Sequence, residues 1–194
     1  MTTDTATLDI ELLRQLRAGS AAAFQALYRR HQGALYRFAL MRCGSTDTAA
    51  DVVQEVFMGL LAGSFDYDPL RGQLQNFLFG VARNVVMKLE EPRRRTDSLT
   101  GTEGEDGELD LGCDESAEPL HRLLGNEQAE QVRQALAKLP PHYRDAVILY
   151  EMHDMSYLEI ADICQVDIGT VRSRLSRGRA ALAKRFAGAA LHIA

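Results

Sequence analysis

A chain of 194 residues, 46% hydrophobic and 25% charged, has room for one or two domains with modest cores. No apolar run approaches the roughly 20 residues of a membrane span, and the acidic start MTTDTATLDIELL lacks both the basic and the apolar parts of a secretory signal, so a cytoplasmic chain without membrane insertion is expected. The formal charge of −5 speaks against a nucleic-acid partner only until the acids are located.

Apolar residues first recur at helical spacing in a short segment, Leu8 to Arg17. A second segment follows Ser20, a candidate N-cap, and carries Phe24, Leu27, Tyr28, Leu35 and Phe38. A third carries Ala49, Val52, Val53, Val56, Phe57, Leu60 and Leu61. A fourth carries Leu74, Phe77, Leu78, Val81, Val85 and Leu89, and Pro92 is expected to stop it. No stretch alternates as a strand would, so residues 1–95 read as a compact helical domain.

Nine of the 27 acids then fall between Thr96 and Pro119, with no Lys or Arg among them; the rest of the chain has 18 acids against 22 bases. The same stretch holds Gly101, Gly104, Gly107 and Gly112 and few large apolar residues. It cannot bury enough surface to offset its ordering entropy, so 96–125 reads as a flexible acidic linker.

A second helical domain is expected over 126–194. Asn126 is a candidate cap for a helix with Val132, Leu136 and Leu139, and Pro140-Pro141 closes it and opens a helix with Ala146, Val147 and Tyr150. Ser156 and Glu159 stand at capping-box spacing before Ile160, Ala161 and Ile163. After a break from Cys164 to Asp167 comes a longer helix with Ile168, Val171, Leu175 and Leu182 inward. Short helix, tight turn and longer helix make a helix-turn-helix pattern. The outward face of the last helix presents Arg172, Ser173, Ser176, Arg177 and Lys184, and its start at Gly169 and Thr170 is expected to offer amides to a phosphate. A solvated basic face is the competing explanation, and the turn and capping box before it favour DNA.

Cys43, Cys113 and Cys164 are odd in number and form no CxxC pair, which argues against a disulfide scaffold or a zinc site. The five histidines are scattered, no glycine-rich phosphate loop occurs, and no catalytic constellation or cofactor site is assembled by the spacing. An enzyme is the least favoured class.

The run LPPHYRDAVILYEMHDMSYLEIADICQVDIGTVRSRLSRGRAAL, Leu139 to Leu182, resembles region 4 of the bacterial sigma-70 family in its extracytoplasmic-function (ECF) branch. DVVQEVFMGLL, SFDYDPLRG and FLFGVARN, from Asp51 to Asn84, resemble region 2 of the same branch in order and spacing. The resemblance implies an all-α chain of two small domains, a region 2 bundle and a region 4 helix-turn-helix. It implies a factor that binds core RNA polymerase at the beta-prime clamp helices and the beta flap, recognises promoter DNA and promotes its melting.

By the same resemblance Asp51, Gln54 and Glu55 face the clamp helices; their spacing puts them on one helix face. The Ser64–Gln73 loop with Phe65, together with Asn84, forms a pocket for a base flipped from the minus-10 element, an arrangement in which stacking compensates unstacking. Arg83 and Lys88 follow phosphates of the opening duplex, and Arg93 to Arg95 beyond either do the same or are the solvated start of the linker. Thr170, Arg172, Ser173, Arg174, Ser176 and Arg177 read the minus-35 element, and Arg144 approaches its backbone. The linker enters the RNA exit path or is a tether only. Cys113 is incidental or a redox sensor.

Three positions depart from the family pattern: Phe77 where Trp is usual, Lys88 where Asp is common, and Gln165 where a Gly often takes positive φ. Factors of this kind are commonly masked by an anti-sigma factor, often membrane-anchored. Two other functions are weighed: a decoy that sequesters an anti-sigma protein, which has no need of Arg172, Arg174 and Arg177, and a dimeric helix-turn-helix repressor, which leaves the first domain's motifs without a task.

Overall fold

The computed structural model describes residues 2–97 and 119–190, with side chains described over 8–90 and 128–187. Among them every regular element is helical: α1 (Thr2–Arg17), α2 (Ala21–Cys43), α3 (Thr46–Leu61), a 3-10 turn (Pro69–Arg71), α4 (Leu74–Asp97), α5 (Pro119–Ala137), α6 (Pro141–His153), α7 (Tyr157–Cys164) and α8 (Ile168–Ala190). Most of the acidic stretch, with Cys113, lies outside the described residues.

Local chemistry sets several boundaries. Ser20 and Ser45 cap α2 and α3, their hydroxyls accepting from Ala23 N and Thr48 N. Gly44 ends α2 in the left-handed conformation at φ 73°. Two boundaries differ from expectation. Helix α4 continues through Pro92 to Asp97, because a proline forgoes one amide bond and need not end a helix. Helix α5 begins at Pro119, so Asn126 lies inside it and is not its cap.

In α3 the buried stripe is Ala49, Val52, Val53, Val56, Phe57 and Leu60; Leu61, one step further round, is 51% exposed. In α4 the fully buried residues are Leu74, Leu78, Phe79, Ala82 and Val86, whereas Phe77, Val81 and Val85 are half-buried and Leu89 is exposed. The buried face is rotated from the expected one because α4 is covered on two sides, by α2 and α3 on one and by α7 on the other.

That second cover comes from the other half of the chain. Helices α2 and α4 pack against α6 and α7, and the buried side chains of both halves join in one cluster. His153, at the end of α6, lies with its ring 4.8 Å from Phe79 and 6.4 Å from Phe38. Burial, with Arg37 nearby, lowers its pKa to about 4 against a weaker opposite pull from Asp154. Helix α4 passes α7 at Gly80, where a Cβ would stand 3.9 Å from the Ile163 carbonyl oxygen, an ordinary contact.

At the other end of the first half, buried Asp9 on α1 accepts from Arg30 and lies 3.0 Å from His31 Nε2. Burial raises its pKa, but His31 and Arg30 outweigh that and hold it below the ordinary value.

Candidate nucleic-acid interface

Helix α8 is fixed by its first turn. Asp167 accepts from the Thr170 amide at 2.8 Å and from its hydroxyl at 2.6 Å, and these bonds hold its carboxyl below the usual carboxylate range. The Thr170 amide is thus already taken, and a negative charge occupies the helix start. This corrects the expectation of free amides there for a phosphate.

Beyond that turn, Arg172, Ser173, Ser176 and Arg177 are exposed on the outer face, opposite buried Val171 and Leu175. Thr170 is half-buried, and its carbonyl accepts from Ser173 Oγ at 2.9 Å. Arg177 leans on α6, its Nη1 donating to the Tyr143 hydroxyl at 3.4 Å. Arg174 is half-buried, and its Nη1 is enclosed without a hydrogen-bond partner. Ile168, expected inward, is 38% exposed. The close seating of α8 on α6 depends on Gly178, where a Cβ would stand 2.7 Å from Val147 Cγ2.

Arg144 is engaged within the fold. Its guanidinium donates to the carbonyls of Arg42 at 2.5 Å, Leu139 at 3.1 Å, and Ala137. It satisfies orphan carbonyls at the end of α5 and ties α6 to α2, so in this arrangement it is not presented to a phosphate.

The loop between α3 and α4 borders a cavity of about 480 Å³ whose lining includes Asp66, Arg71, Gln73, Asn76 and exposed Asn84. Asp68 accepts from Leu70 N at 2.9 Å, and the Tyr67 hydroxyl donates to the Gly72 carbonyl at 2.9 Å. Those bonds hold Leu70, 95% exposed, at the loop tip. Phe65 does not line the cavity. Its ring lies over Gly59, close enough that a Cβ would stand 2.2 Å away, and meets Phe77 edge-on at 6.2 Å. Phe77 itself faces the cavity and packs on Tyr67 at 5.3 Å. The far wall is formed by Asp162, Ile163 and Gln165 at the end of α7.

Arg83 reaches across the halves, its Nε donating to Asp145 Oδ2 at 2.8 Å. The other oxygen of Asp145 accepts from Arg42, which also pairs with Glu90; Arg42 and Asp145 are both 1% exposed. The helical periodicity singles out neither, although Arg42 interrupts the apolar run FALMRC and Asp145 stands directly before AVIL. Asn76 Nδ2 donates across the same junction to Glu159 Oε1 at 3.1 Å. Lys88 is exposed, and the side chains of Arg93 to Arg95 lie outside the described residues.

On α3, Asp51, Gln54 and Glu55 are exposed together. Met58 and Leu61, 54% and 51% exposed, extend that face with an apolar end. Periodicity alone gives no sign of Met58 there and assigns Leu61 to the core.

Two family models match the chain: sigma-70 region 2 over residues 27–95 and sigma-70 region 4 over residues 129–182. The chain is 32% identical over 178 residues to the ECF RNA polymerase sigma factor SigM of Mycobacterium tuberculosis, covering 91% of this chain and 83% of that one. The chain belongs to the sigma-70 family, in its ECF branch. It is also 25% identical over 178 residues to the ECF sigma factor SigW of Bacillus subtilis, covering 90% of this sigma factor and 94% of that one. Among solved structures it resembles CnrH in complex with the cytosolic domain of CnrY, with a TM-score of 0.68 at 25% identity, covering 93% and 98% of the two chains. It resembles the sigma factor RpoE of Bartonella quintana, solved with the anti-sigma factor NepR, with a TM-score of 0.64 at 26% identity over 83% and 94%.

Burial pushes the Cys164 thiol to about 11 and raises that of Cys43, which makes both weak nucleophiles. No group of metal-ligating side chains occurs among the described residues. None of the described helices is long and apolar enough to cross a membrane.

Proposed function

We propose that this ECF sigma factor directs core RNA polymerase to its promoters through three surfaces, with the polymerase supplying all catalysis. The α3 face of Asp51, Gln54 and Glu55, extended by Met58 and Leu61, docks on the beta-prime clamp helices. The α8 stripe of Arg172, Ser173, Ser176 and Arg177, with Thr170 and Arg174 beside it, reads the minus-35 duplex in the major groove. The cavity beside Asn84 and the Ser64–Gln73 loop receives the flipped minus-10 base, with Phe77 as its aromatic wall and Phe65 bracing the loop from behind. Arg83 and Lys88 follow the backbone of the opening strand once Arg83 is released from Asp145.

The observation that carries this reading is the presence of both matched regions in one chain, in order, each with an exposed face of the chemistry its task requires. A lone helix-turn-helix would fit a repressor equally well. The two domains act as separable promoter-binding units in the cytoplasm, joined by a linker that the extents of α4 and α5 shorten from the expected 96–125 to the stretch between Asp97 and Pro119. The anti-sigma factor bound to the Bartonella relative supports control of this chain by such a partner.

Run-off transcription tests the assignment: purified bacterial core polymerase, with and without this protein, on a pool of genomic promoter fragments from its host. New defined transcripts are expected. The absence of both transcripts and co-purification with core would refute it.

A further inference from the structure

Leu70 is 95% exposed, well beyond the next large apolar side chain among the described residues, Leu158 at 64%. An exposed leucine alone says little, but the backbone that carries this one is held from several sides. Pro69 opens the 3-10 turn, Asp68 caps it by accepting from the Leu70 amide at 2.9 Å, and the Arg71 amide donates to the Asp68 carbonyl at 3.1 Å. Beneath the turn, buried Tyr67 packs on Phe77 and donates its hydroxyl to the Gly72 carbonyl at 2.9 Å. Gly72 closes the turn at φ 150°, a conformation that other residues rarely adopt. This network holds up a side chain that is itself almost free of contact.

The place of that side chain narrows its task. Asp68 and Arg71, on either side of Leu70, line the cavity assigned to the flipped base; Leu70 does not, and stands at the rim. The loop is poorly suited to holding phosphates, because Asp66 and Asp68 set two carboxylates against the one guanidinium of Arg71. A rigid apolar tip supplies volume instead. A base that leaves the stack opens a step about 3.4 Å deep along its strand. Proteins that kink DNA fill such steps with leucine and other apolar side chains, whose contact with the neighbouring base offsets the lost stacking.

We propose that Leu70 is a wedge. As the minus-10 base turns into the cavity beside Asn84, Leu70 enters the step that the base vacates, packs on the neighbouring base and keeps the strand from closing again. The turn is already formed, so insertion orders only one side chain. Leu70 meets the face of a base and not its edge, so it serves melting and leaves sequence choice to the cavity. This role rests on the minus-10 reading of that cavity.

The test separates melting from every other step. Leu70→Ala, Leu70→Asn and Leu70→Met are compared with the parent in the full chain, with core polymerase, on a promoter fragment active with the parent. The fragment is used as a duplex and with its minus-10 region premelted by non-complementary strands. Opening is read by permanganate reactivity and output by run-off transcription. Burying a leucine side chain corresponds to roughly ten- to hundredfold, so Leu70→Ala and Leu70→Asn should lower opening of the duplex by about tenfold or more. Leu70→Met, apolar and of similar volume, should stay within about threefold of the parent. On the premelted template, where no step has to be unstacked, run-off by all three should lie within about twofold of the parent.

Duplex opening by Leu70→Ala equal to that of the parent overturns the wedge. Equal losses on the duplex and the premelted template also overturn it, and assign Leu70 to a contact with the polymerase. Opening by Leu70→Asn as good as that by Leu70→Met overturns apolar insertion. Each of these results leaves the base pocket standing provided that Asn84→Ala impairs opening. Unimpaired opening by Asn84→Ala, or absence of transcripts with the parent, overturns the reading of the cavity and the wedge with it.

Discussion

Acidification should open the junction through His153. In the packed arrangement its ring sits against Phe38 and Phe79, with a pKa lowered to about 4 by burial and by Arg37 and partly offset by Asp154. When the halves separate, the imidazole regains water and a value near the ordinary ~6.5. A histidine whose value is depressed by packing stabilises that packing fully above its free pKa, and the stabilisation is lost as pH falls from about 6.5 toward 4. Between pH 7.5 and 5.5 the full shift corresponds to about a tenfold weakening of closure, or ~1.4 kcal/mol. The ring is only partly buried, so screening reduces the expected change to roughly three- to tenfold. Dyes on exposed Ala22 and Ala183 report closure by energy transfer, and the urea concentration that halves transfer should fall between pH 7.5 and 5.5. His153→Leu removes the titrating group and should flatten this response. A variant as pH-sensitive as the parent, or a parent that does not respond, would refute the reasoning.

Four further variants test local interactions. Gly178→Ala puts a methyl within 2.7 Å of Val147 Cγ2; overpacking of about 1–3 kcal/mol should outweigh the ~1 kcal/mol gain in helix propensity and lower the thermal midpoint. Gln165→Gly relieves a side chain held at φ 55° and should raise stability by up to about 1 kcal/mol in denaturant titration, less the bond from its Nε2 to the Asp162 carbonyl. Ser173→Ala with Arg177→Ala should weaken minus-35 duplex binding by about 1–3 kcal/mol for each base no longer read, while binding to core persists; equal weakening of both would contradict the assignment. Asn84→Ala should impair promoter opening more than duplex binding, with reduced permanganate reactivity as the readout.

Local chemistry made much of the fold legible. Ser20 and the Ser156–Glu159 capping box sit where their spacing places them, the box closed by bonds of 2.9 and 3.3 Å. Gln165 takes the left-handed conformation that its place in the turn requires. Legibility ends where tertiary packing decides. The buried face of α4 is wider than one amphipathic stripe because α7 covers its other side, and no periodicity records a partner so remote in sequence. Asp167 as the cap of α8 is open to view, since an acid three residues before Thr170 is a common helix start, and that same acid is what closes the site to a phosphate. Arg42 and Asp145 are 103 positions apart; only a charge within or directly beside an apolar run hints that each has a buried partner.

The chemistry of the junction differs from that of the cores, and the difference bears on what the junction is for. Within the first half, α2, α3 and α4 meet through Leu27, Phe38, Val56 and Leu78, all fully buried and apolar; separating them would expose that surface at about 25 cal/mol for each Å². Between the halves, apolar contacts such as that of His153 with Phe79 are joined by a cluster of charges, Arg42, Asp145, Arg83 and Glu90. Ion pairs taken out of water recover little net free energy, because each charge loses hydration on closing and regains it on opening. Breaking one member of such a cluster is costly, yet parting all of them together into water is not. The pairs therefore fix the register of α6 on α2 and α4 without making the junction permanent. An interface filled with leucine would be indifferent to small slips; one that includes charges closes in a single register, because each charge left unpaired in a slipped one is costly.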